Sequence, residues 1–162
     1  LRQQRLHHRS VLMTRQIITH SPEETIALAE AIGRLLRKGD VIAYTGELGA
    51  GKTTFTRGIA RGMGLPDEVH SPTFALVNEY LGKPGTTPLY HFDMYRITLP
   101  EALESTGFYD YPLSDSVFAI EWSENIPYAL PEQCLRIGIA YGAGDTRIIT
   151  IEGDDRFADP GD

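Results

Sequence analysis

The sequence predicts an α/β fold, a single domain with a mixed, partly parallel sheet flanked by helices. Two continuous apolar runs, 41–45 and 117–120, have the length and composition of strands that are buried on both faces, which is typical of parallel sheets. Segments with the helical spacing of apolar residues alternate with these runs. Two pairs of alternating segments, each separated by turn residues, add antiparallel hairpins. The chain shows no internal repeat and no second core.

Length and composition are those of an ordinary globular domain. The chain has 162 residues, of which 41% are hydrophobic and 23% are charged, and this size suits one domain with a substantial core. No apolar run approaches the roughly 20 residues that a membrane-spanning helix needs. The single cysteine, Cys134, excludes an internal disulfide and a zinc site built on several cysteines. We therefore expect a soluble protein of the reducing cytoplasm.

The net charge of −7 is unevenly distributed along the chain. Residues 1–20 contain four arginines and no acid, so residues 21–162 carry 11 basic and 22 acidic side chains, a net charge of −11. So acidic a domain is poorly suited to bind nucleic acid phosphates unaided, and we expect another subunit to hold any RNA. We expect residues 1–14 to form a flexible basic extension, 15–152 the domain, and 153–162 a frayed acidic tail.

The first elements are predicted by local signals. Segment 15–19 has the composition of a short strand. Ser21 as a cap, Pro22 at the first helical position and Glu24 three residues after the cap together predict the start of a helix. Gly39, preceded by a lysine, predicts its end.

The remaining elements alternate between strand and helix. They are a strand at 41–45, a helix at about 52–63, a hairpin of 74–81 and 89–96, a short helix at 100–105, a strand at 117–120 and a second hairpin of 134–141 and 146–152.

A phosphate-binding loop is predicted between the first buried strand and the helix that follows it. Residues 46–53 match the pattern G-x-x-x-x-G-K-[ST] at every position, which predicts a P-loop NTPase-like domain. Glycines let backbone amides turn inward towards phosphate oxygens, and the helix N-terminus adds partial positive charge. Lys52 would reach the β and γ phosphates, and the Thr53 hydroxyl would complete a magnesium shell. The predicted nucleotide-binding residues of the loop are Gly46, Glu47, Leu48, Gly49, Ala50, Gly51, Lys52 and Thr53, with Thr54 as a further candidate at the α phosphate.

Two acids compete for a role beside this loop. The second buried strand ends in Glu121, and because the carboxyl ends of parallel strands face the ligand crevice, Glu121 would assist magnesium there. Asp93 is the rival, since alternation places it on the same face of its strand as His91. That pair would flank a nucleotide or polarise a water, or else pair structurally with each other or with Arg96. The sequence leaves open whether Asp93 or Glu121 orients the attacking water.

Two further residues have both a functional and a structural interpretation. Thr73 lies in a Ser-Pro-Thr segment after the loop helix, where it either senses the γ phosphate or magnesium, as in nucleotide switches, or begins a strand after a turn. Trp122 directly follows Glu121 and is either a partner contact or a packed side chain.

Four sequence blocks, taken in order, resemble the TsaE (YjeE) family, the small ATPase of bacterial tRNA threonylcarbamoyladenosine biosynthesis. The blocks are GELGAGKTTFTRGIARGMG, SPTFALVNEY, YHFDMYR and AIEW, and the resemblance covers about residues 15–152. It implies ATP and Mg²⁺ as ligands and action with the TsaD and TsaB subunits. Those subunits transfer threonylcarbamoyl to adenosine 37 of tRNAs that read ANN codons, and ATP hydrolysis supports repeated turnover of the complex.

The resemblance also implies roles for individual residues. It places the nucleotide near the start of the first helix, here Glu24, and near the turn after Trp122, here Glu124. Glu47 stands where many relatives carry aspartate, which keeps the charge. The other implied site residues are catalytic Lys52, Asp93 and Glu121, the magnesium ligands Thr53 and Glu121, the switch-like Thr73 and the partner contact Trp122.

These residues predict a magnesium-dependent ATPase that is slow on its own, because no arginine is placed to act as a finger. The alternative enzyme is a P-loop small-molecule kinase, although segment 98–116 contains no Lys or Arg for a mobile lid. A regulatory GTPase is disfavoured because the chain has no N-K-x-D-like segment. A nucleotide-dependent binding module with incidental hydrolysis is the remaining alternative.

Overall fold

The computed structural model describes residues 12–46, 51–71 and 76–160. Within these ranges no helix combines the length and the apolarity needed to cross a bilayer. The described strands and helices are, in chain order, β1 (Met13–Thr19), α1 (Pro22–Leu35), β2 (Val41–Gly46), α2 (Lys52–Gly62), β3 (Val77–Tyr80), β4 (Leu89–Asp93), α3 (Pro100–Ser105), β5 (Val117–Glu121), β6 (Leu135–Tyr141) and β7 (Arg147–Gly153).

The strands form one mixed sheet in the order β1-β7-β6-β2-β5-β4-β3. The four central strands, β6, β2, β5 and β4, are parallel to one another. The pairs β1–β7, β6–β7 and β3–β4 are antiparallel, as both predicted hairpins require. The predicted mixed, partly parallel sheet is therefore confirmed. Parallel pairing brings the carboxyl ends of the central strands to one edge, where Asp93 and Glu121 are register partners.

The central strands bury both of their faces, as their continuous apolar sequences predict. Successive residues point to opposite sides of the sheet, so Ile42 and Ala119 pack into the core cluster beneath α1 and α2. Their neighbours Val41 and Phe118 pack into a second cluster on the other side. The connections that precede and follow β5, residues 94–116 and 122–134, cover that second cluster.

The first helix, α1, begins at the predicted residue and ends four residues before Gly39, which the sequence predicts as its end. The Ser21 hydroxyl accepts a hydrogen bond from the backbone N–H of Glu24 at 3.1 Å. The Glu24 carboxylate in turn accepts the backbone N–H of His20 at 2.6 Å, rather than that of the cap residue itself. The helix ends at Leu35, and Gly39, with φ of 92°, lies in the turn that leads to β2.

The hairpin β3–β4 is shorter than its alternating pattern predicts. Strand β4 ends at Asp93, although the next backbone N–H, that of Met94, still donates to the carbonyl of Glu121 at 3.0 Å. The Asp93 carboxylate accepts the backbone N–H of Tyr95 at 3.0 Å and so stabilises a turn at this point. The chain therefore leaves the sheet directly beside the end of β5.

The prediction of a frayed tail at 153–162 is wrong for residues 153–160, which pack against the domain. Phe157 is only 3% exposed and belongs to the core cluster beneath α1 and α2. The Arg156 guanidinium donates to both carboxylate oxygens of Asp40 at 3.0 Å and to the carbonyl of Leu35 at 3.2 Å. The acidic composition of this segment predicts solvation, whereas one aromatic ring and one bidentate arginine hold it against the domain.

The N-terminal boundary also differs from the expected one. Strand β1 begins at Met13, and that residue pairs with Gly153 of β7. Two residues of the predicted extension 1–14 therefore belong to the sheet.

Candidate functional site

Glycine geometry fixes the two described ends of the predicted phosphate loop. Gly46 ends β2 with φ of 112°, and a Cβ atom there would lie 2.5 Å from the carbonyl oxygen of Ile139. Gly51 precedes α2 with φ of 98°, and a Cβ atom there would meet no described atom within 4 Å. Both residues occupy the left-handed region that favours glycine. The loop therefore starts tightly packed against the sheet and ends in a conformation that leads into the helix.

Five of the predicted residues lie outside the described residues. They are the loop residues Glu47, Leu48, Gly49 and Ala50 and the switch candidate Thr73.

Lys52, the first residue of α2, is buried at the end of β2. The residue is only 6% exposed, and its Nζ donates a hydrogen bond to the carbonyl oxygen of Gly46 at 3.3 Å. Burying an ammonium group is unfavourable without compensating charge, and the nearby Glu121 carboxylate supplies it. Thr53 and Thr54, by contrast, are exposed in the first turn of α2. The structure thus brings Lys52, Gly46 and Glu121 together and leaves both threonines facing solvent.

Glu121 ends β5 and remains a carboxylate. Burial by itself would raise the pKa of Glu121, but the His91 ring, followed by Lys52, outweighs burial and holds that pKa below its ordinary value. Nε2 of His91 lies 2.8 Å from Oε2 of Glu121. Glu121 therefore carries its negative charge at neutral pH, the form that a metal ligand requires.

The sequence pattern does not predict the contact between His91 and Glu121. Alternation on β4 groups His91 with Asp93, whereas the parallel register of β4 and β5 sets its ring against the acid of the next strand. The contact is short but lies off the line of the ring N–H, and neither ring nitrogen has a hydrogen bond of ordinary geometry within the described residues. A histidine in an otherwise apolar strand was the available signal, but it does not reveal the partner.

Asp93 lies at the same edge of the sheet as Glu121, but its carboxylate binds the backbone of a turn. It is exposed, and one of its carboxylate oxygens accepts the backbone N–H of Tyr95. Among the described residues no ion pair joins it to His91 or to Arg96, so neither structural pairing considered from the sequence is formed. Its other oxygen has no hydrogen bond from a described residue.

The turn after Glu121 is strained and firmly held. Trp122 has φ of 58° and ψ of 40°, and it is the one non-glycine residue of the described ranges with a positive φ. Its ring packs on Tyr95 with 5.0 Å between ring centroids. The Ser123 hydroxyl donates to the carbonyl of Tyr44 at 3.3 Å, and the Asn125 side chain donates to that of Met94 at 2.8 Å. A strained residue beside a candidate metal ligand is typical of functional sites.

The two outlying nucleotide candidates have different surroundings. Glu24 is engaged in the cap of α1. Glu124 is exposed and lines an open cleft of about 350 Å³ together with Ser123 and Thr45, the residue before Gly46. This cleft therefore adjoins the start of the phosphate loop, and Glu124 is the better placed of the two.

The described residues suit a magnesium ion that is held partly by a ligand's phosphates. No three His, Cys, Asp or Glu side chains of the described ranges form a cluster able to hold a metal ion. Mg²⁺ in nucleotide sites needs only one or two protein ligands besides phosphate oxygens and water. Thr53 directly follows Lys52, whose charge acts on Glu121, so this hydroxyl and this carboxylate are the two donors of that kind that the site offers.

Over most of its length the chain is similar to known proteins of one family. The family model described as threonylcarbamoyl adenosine biosynthesis protein TsaE matches residues 19–149. The chain is similar to proteins named tRNA threonylcarbamoyladenosine biosynthesis protein TsaE. The protein of Bacillus subtilis is 42% identical to it, over 82% of each chain. The protein of Treponema pallidum is 36% identical, over 83% of this chain and 97% of the other. The crystal structure of Bacillus subtilis YdiB superposes with a TM-score of 0.67 at 33% identity and covers 94% of each chain.

Proposed function

The chain belongs to the TsaE family of threonylcarbamoyl adenosine biosynthesis proteins, and on that basis we propose that it is a magnesium-dependent ATPase of tRNA modification. It acts in the cytoplasm with TsaD and TsaB, which modify adenosine 37 of tRNAs that read ANN codons. The observation that carries the proposal is the meeting of Lys52, Gly46 and Glu121 at the carboxyl edge of the parallel strands.

ATP binding is supported by the groups around the ends of the loop. Gly46 and Gly51 hold left-handed backbone conformations, and α2 begins immediately afterwards with first-turn amides that have no partner within the helix. In the ligand-free chain the Lys52 ammonium is bound to a backbone carbonyl at 3.3 Å, a long and exchangeable contact. A phosphate oxygen is a stronger acceptor than that carbonyl, so Lys52 exchanges its partner when ATP binds.

Magnesium is assigned to Thr53 and Glu121. The ion, when bound, offsets the negative charge that develops on the phosphates during hydrolysis. Glu121 is suited to hold it, because His91 and Lys52 keep its carboxylate ionised. Asp93 is then the acid that orients the attacking water, since it is exposed at the same edge and has one carboxylate oxygen available.

Slow hydrolysis in isolation is supported by where the arginines lie. Arg61, on α2, pairs with Asp67 at 2.8 Å, and Arg96 is exposed beyond the end of β4. Among the described residues, the side chains that lower the pKa of Glu121 are His91 and Lys52, and neither is an arginine. A partner that supplies positive charge or orders the site would accelerate the reaction. Trp122 and the 57% exposed Tyr95 form the surface beside Glu121 where such a partner would make contact.

Reconstitution of the tRNA modification tests this proposal. TsaD, TsaB, substrate tRNA and the threonylcarbamoyl donor are combined with ATP and with the wild-type chain, with Lys52→Ala or with Lys83→Ala, a change at an exposed lysine outside the site. We expect repeated turnover with the wild type and with Lys83→Ala, and at most one round with Lys52→Ala or with a non-hydrolysable ATP analogue. Equal turnover with Lys52→Ala would contradict the proposal.

A further inference from the structure

We propose that His91 is a positioning residue, which fixes the direction of the Glu121 carboxylate in the magnesium site. This role rests on the proposed function, because it acts through Glu121. His91 itself would touch neither the nucleotide nor the metal ion. It lies on β4, the strand that pairs with β5, and its ring approaches Glu121 from that neighbouring strand.

The surroundings of His91 leave its ring little freedom. The residue is 4% exposed, and its ring meets the Tyr44 ring edge-on with 6.2 Å between centroids. Tyr44 is itself fixed, because its hydroxyl shares a 2.7 Å hydrogen bond with Thr56 and its ring packs edge-on against Phe55. An imidazole held on one side by this wall can offer Nε2 only to Glu121, at 2.8 Å.

Fold stability alone does not account for a histidine at this position. Both ring nitrogens are buried, and within the described residues neither makes a hydrogen bond of ordinary geometry. Burying polar atoms in this way is unfavourable compared with burying an apolar side chain of similar volume. Among the described residues, the polar contact recorded for these nitrogens is the 2.8 Å approach of Nε2 to the Glu121 carboxylate, so the buried imidazole acts on the direction of that group. Buried partners of metal ligands commonly act in this way.

The charges around Glu121 explain why orientation matters. Glu121 is 2.8 Å from the imidazole of β4, and the ammonium of Lys52 on α2 also acts on its charge. A carboxylate released from the imidazole is free to turn towards that ammonium. The imidazole, 2.8 Å from one carboxylate oxygen, therefore limits the directions that the acid can take.

Magnesium-dependent nucleotide binding tests the role directly. The variants are His91→Leu, which removes the N–H, and His91→Gln, which retains a donor. A fluorescent ATP analogue is titrated with and without EDTA. We expect His91→Leu to raise the Mg²⁺ concentration at half-maximal binding by about 10-fold, the lower end of typical effects of such partners. Binding in EDTA should match that of the wild type, and His91→Gln should recover most of the magnesium response.

Phe92→Leu is the matched structural control. Phe92 is buried on the opposite face of the same strand, so this change disturbs β4 without touching Glu121. We expect it to lower the melting temperature and to leave the magnesium midpoint unchanged. A purely structural role of His91 would instead make His91→Leu behave as Phe92→Leu does, which would overturn the proposal.

A double-mutant cycle separates this inference from the proposed function. Glu121→Gln should raise the magnesium midpoint, and adding His91→Leu to it should raise the midpoint no further. If Glu121→Gln has no effect, the metal role of Glu121 fails, and the proposed site with it. If Glu121→Gln has its effect while His91→Leu has none, or if the two effects add, the positioning role alone is overturned.

The ligand-free protein provides an independent readout. Long-range ¹H–¹⁵N NMR of histidine-labelled chain distinguishes a protonated from an unprotonated ring nitrogen. We expect Nε2 of His91 to carry a proton, and its resonance to shift in Glu121→Gln. An unprotonated Nε2 facing Glu121, or a resonance that Glu121→Gln leaves in place, would overturn the proposal without any magnesium or ATP in the sample.

Discussion

The carbonyl oxygen of Glu30 on α1 lies 2.0 Å from the position that a Cβ atom at Gly62 on α2 would occupy. Gly33 makes a similar approach from the other helix, since a Cβ atom there would lie 2.2 Å from the carbonyl oxygen of Ile59. The two helix backbones are therefore in contact. Because α2 begins with Lys52, this contact fixes the helix that carries the phosphate-binding lysine.

Gly62→Ala should destabilise the protein by about 2 kcal/mol or more, the size of an overpacking effect. In an unpacked helix the same change stabilises by about 1 kcal/mol, so the sign of the effect is diagnostic. Urea unfolding measures it. Arg61→Ala, at a neighbour whose ion pair with Asp67 is exposed to solvent and screened by it, is the control. A Gly62→Ala protein as stable as the wild type would refute the close contact.

Gly46→Ala should be more harmful than the same change at another left-handed glycine. Gly39 has φ of 92° with no described atom near its missing Cβ, so Gly39→Ala adds backbone strain alone, about 1–2 kcal/mol. At Gly46 the strain is joined by a clash with the carbonyl of Ile139 at 2.5 Å. We expect the larger loss of unfolding free energy at Gly46, together with loss of ATP binding. Equal losses in the two variants would show that the strand end is not tightly packed.

Phe157→Ala should destabilise the domain by about 3–5 kcal/mol, because the ring is in the core beneath α1 and α2. Asp155→Ala, two residues earlier and exposed, should change the free energy of unfolding by less than about 0.5 kcal/mol. Thermal or urea unfolding distinguishes them. Similar small effects in both variants would restore the view that this segment is a frayed tail.

Asp154 gives the stability of the C-terminal segment a predictable dependence on pH. Burial alone would raise the pKa of Asp154, but its hydrogen bonds and charge contact with Arg156 outweigh burial and hold that pKa below the ordinary value. A carboxylate with a lower pKa in the folded state stabilises the fold above its unfolded pKa of about 3.9. The stabilisation is lost as the pH falls through the lower, folded pKa.

Asp154→Asn should therefore be less stable than the wild type at neutral pH and equally stable below the folded pKa. Urea unfolding at a series of pH values, with Asp159→Asn as a second acidic variant of the same segment, provides the test. A difference between wild type and Asp154→Asn that persists unchanged into acid would mean that the Asp154 charge is not its source.

Short-range sequence signals were sufficient to predict most of the strands and helices. The cap at Ser21 and the buried runs of β2 and β5 depend on residues close in sequence, and the structure confirms them. The edge position of Glu121 also followed, because a strand that ends in an acid carries that acid to the edge of the sheet. These features are determined by the nearest few residues.

The remaining features depend on contacts that no short pattern contains. The pairing of His91 with Glu121 requires the register of two parallel strands that are joined by a long connection. The burial of Phe157 requires a cavity between the helices and the sheet, which an acidic tail composition does not reveal. The positive φ of Trp122 lies in a turn whose next residues, Ser123 and Asn125, donate hydrogen bonds to backbone carbonyls far away in the sequence.

Calorimetric titration of ATP with magnesium into the purified chain is the most direct test of the central claim, that this edge of the sheet binds the nucleotide through Lys52. Wild type and Lys83→Ala should bind one ATP each with the same affinity. Lys52→Ala should bind about 10- to 100-fold more weakly, as loss of a charged hydrogen bond of about 1.5–3 kcal/mol requires. Equal affinity in all three proteins, or no binding by the wild type, would contradict the account.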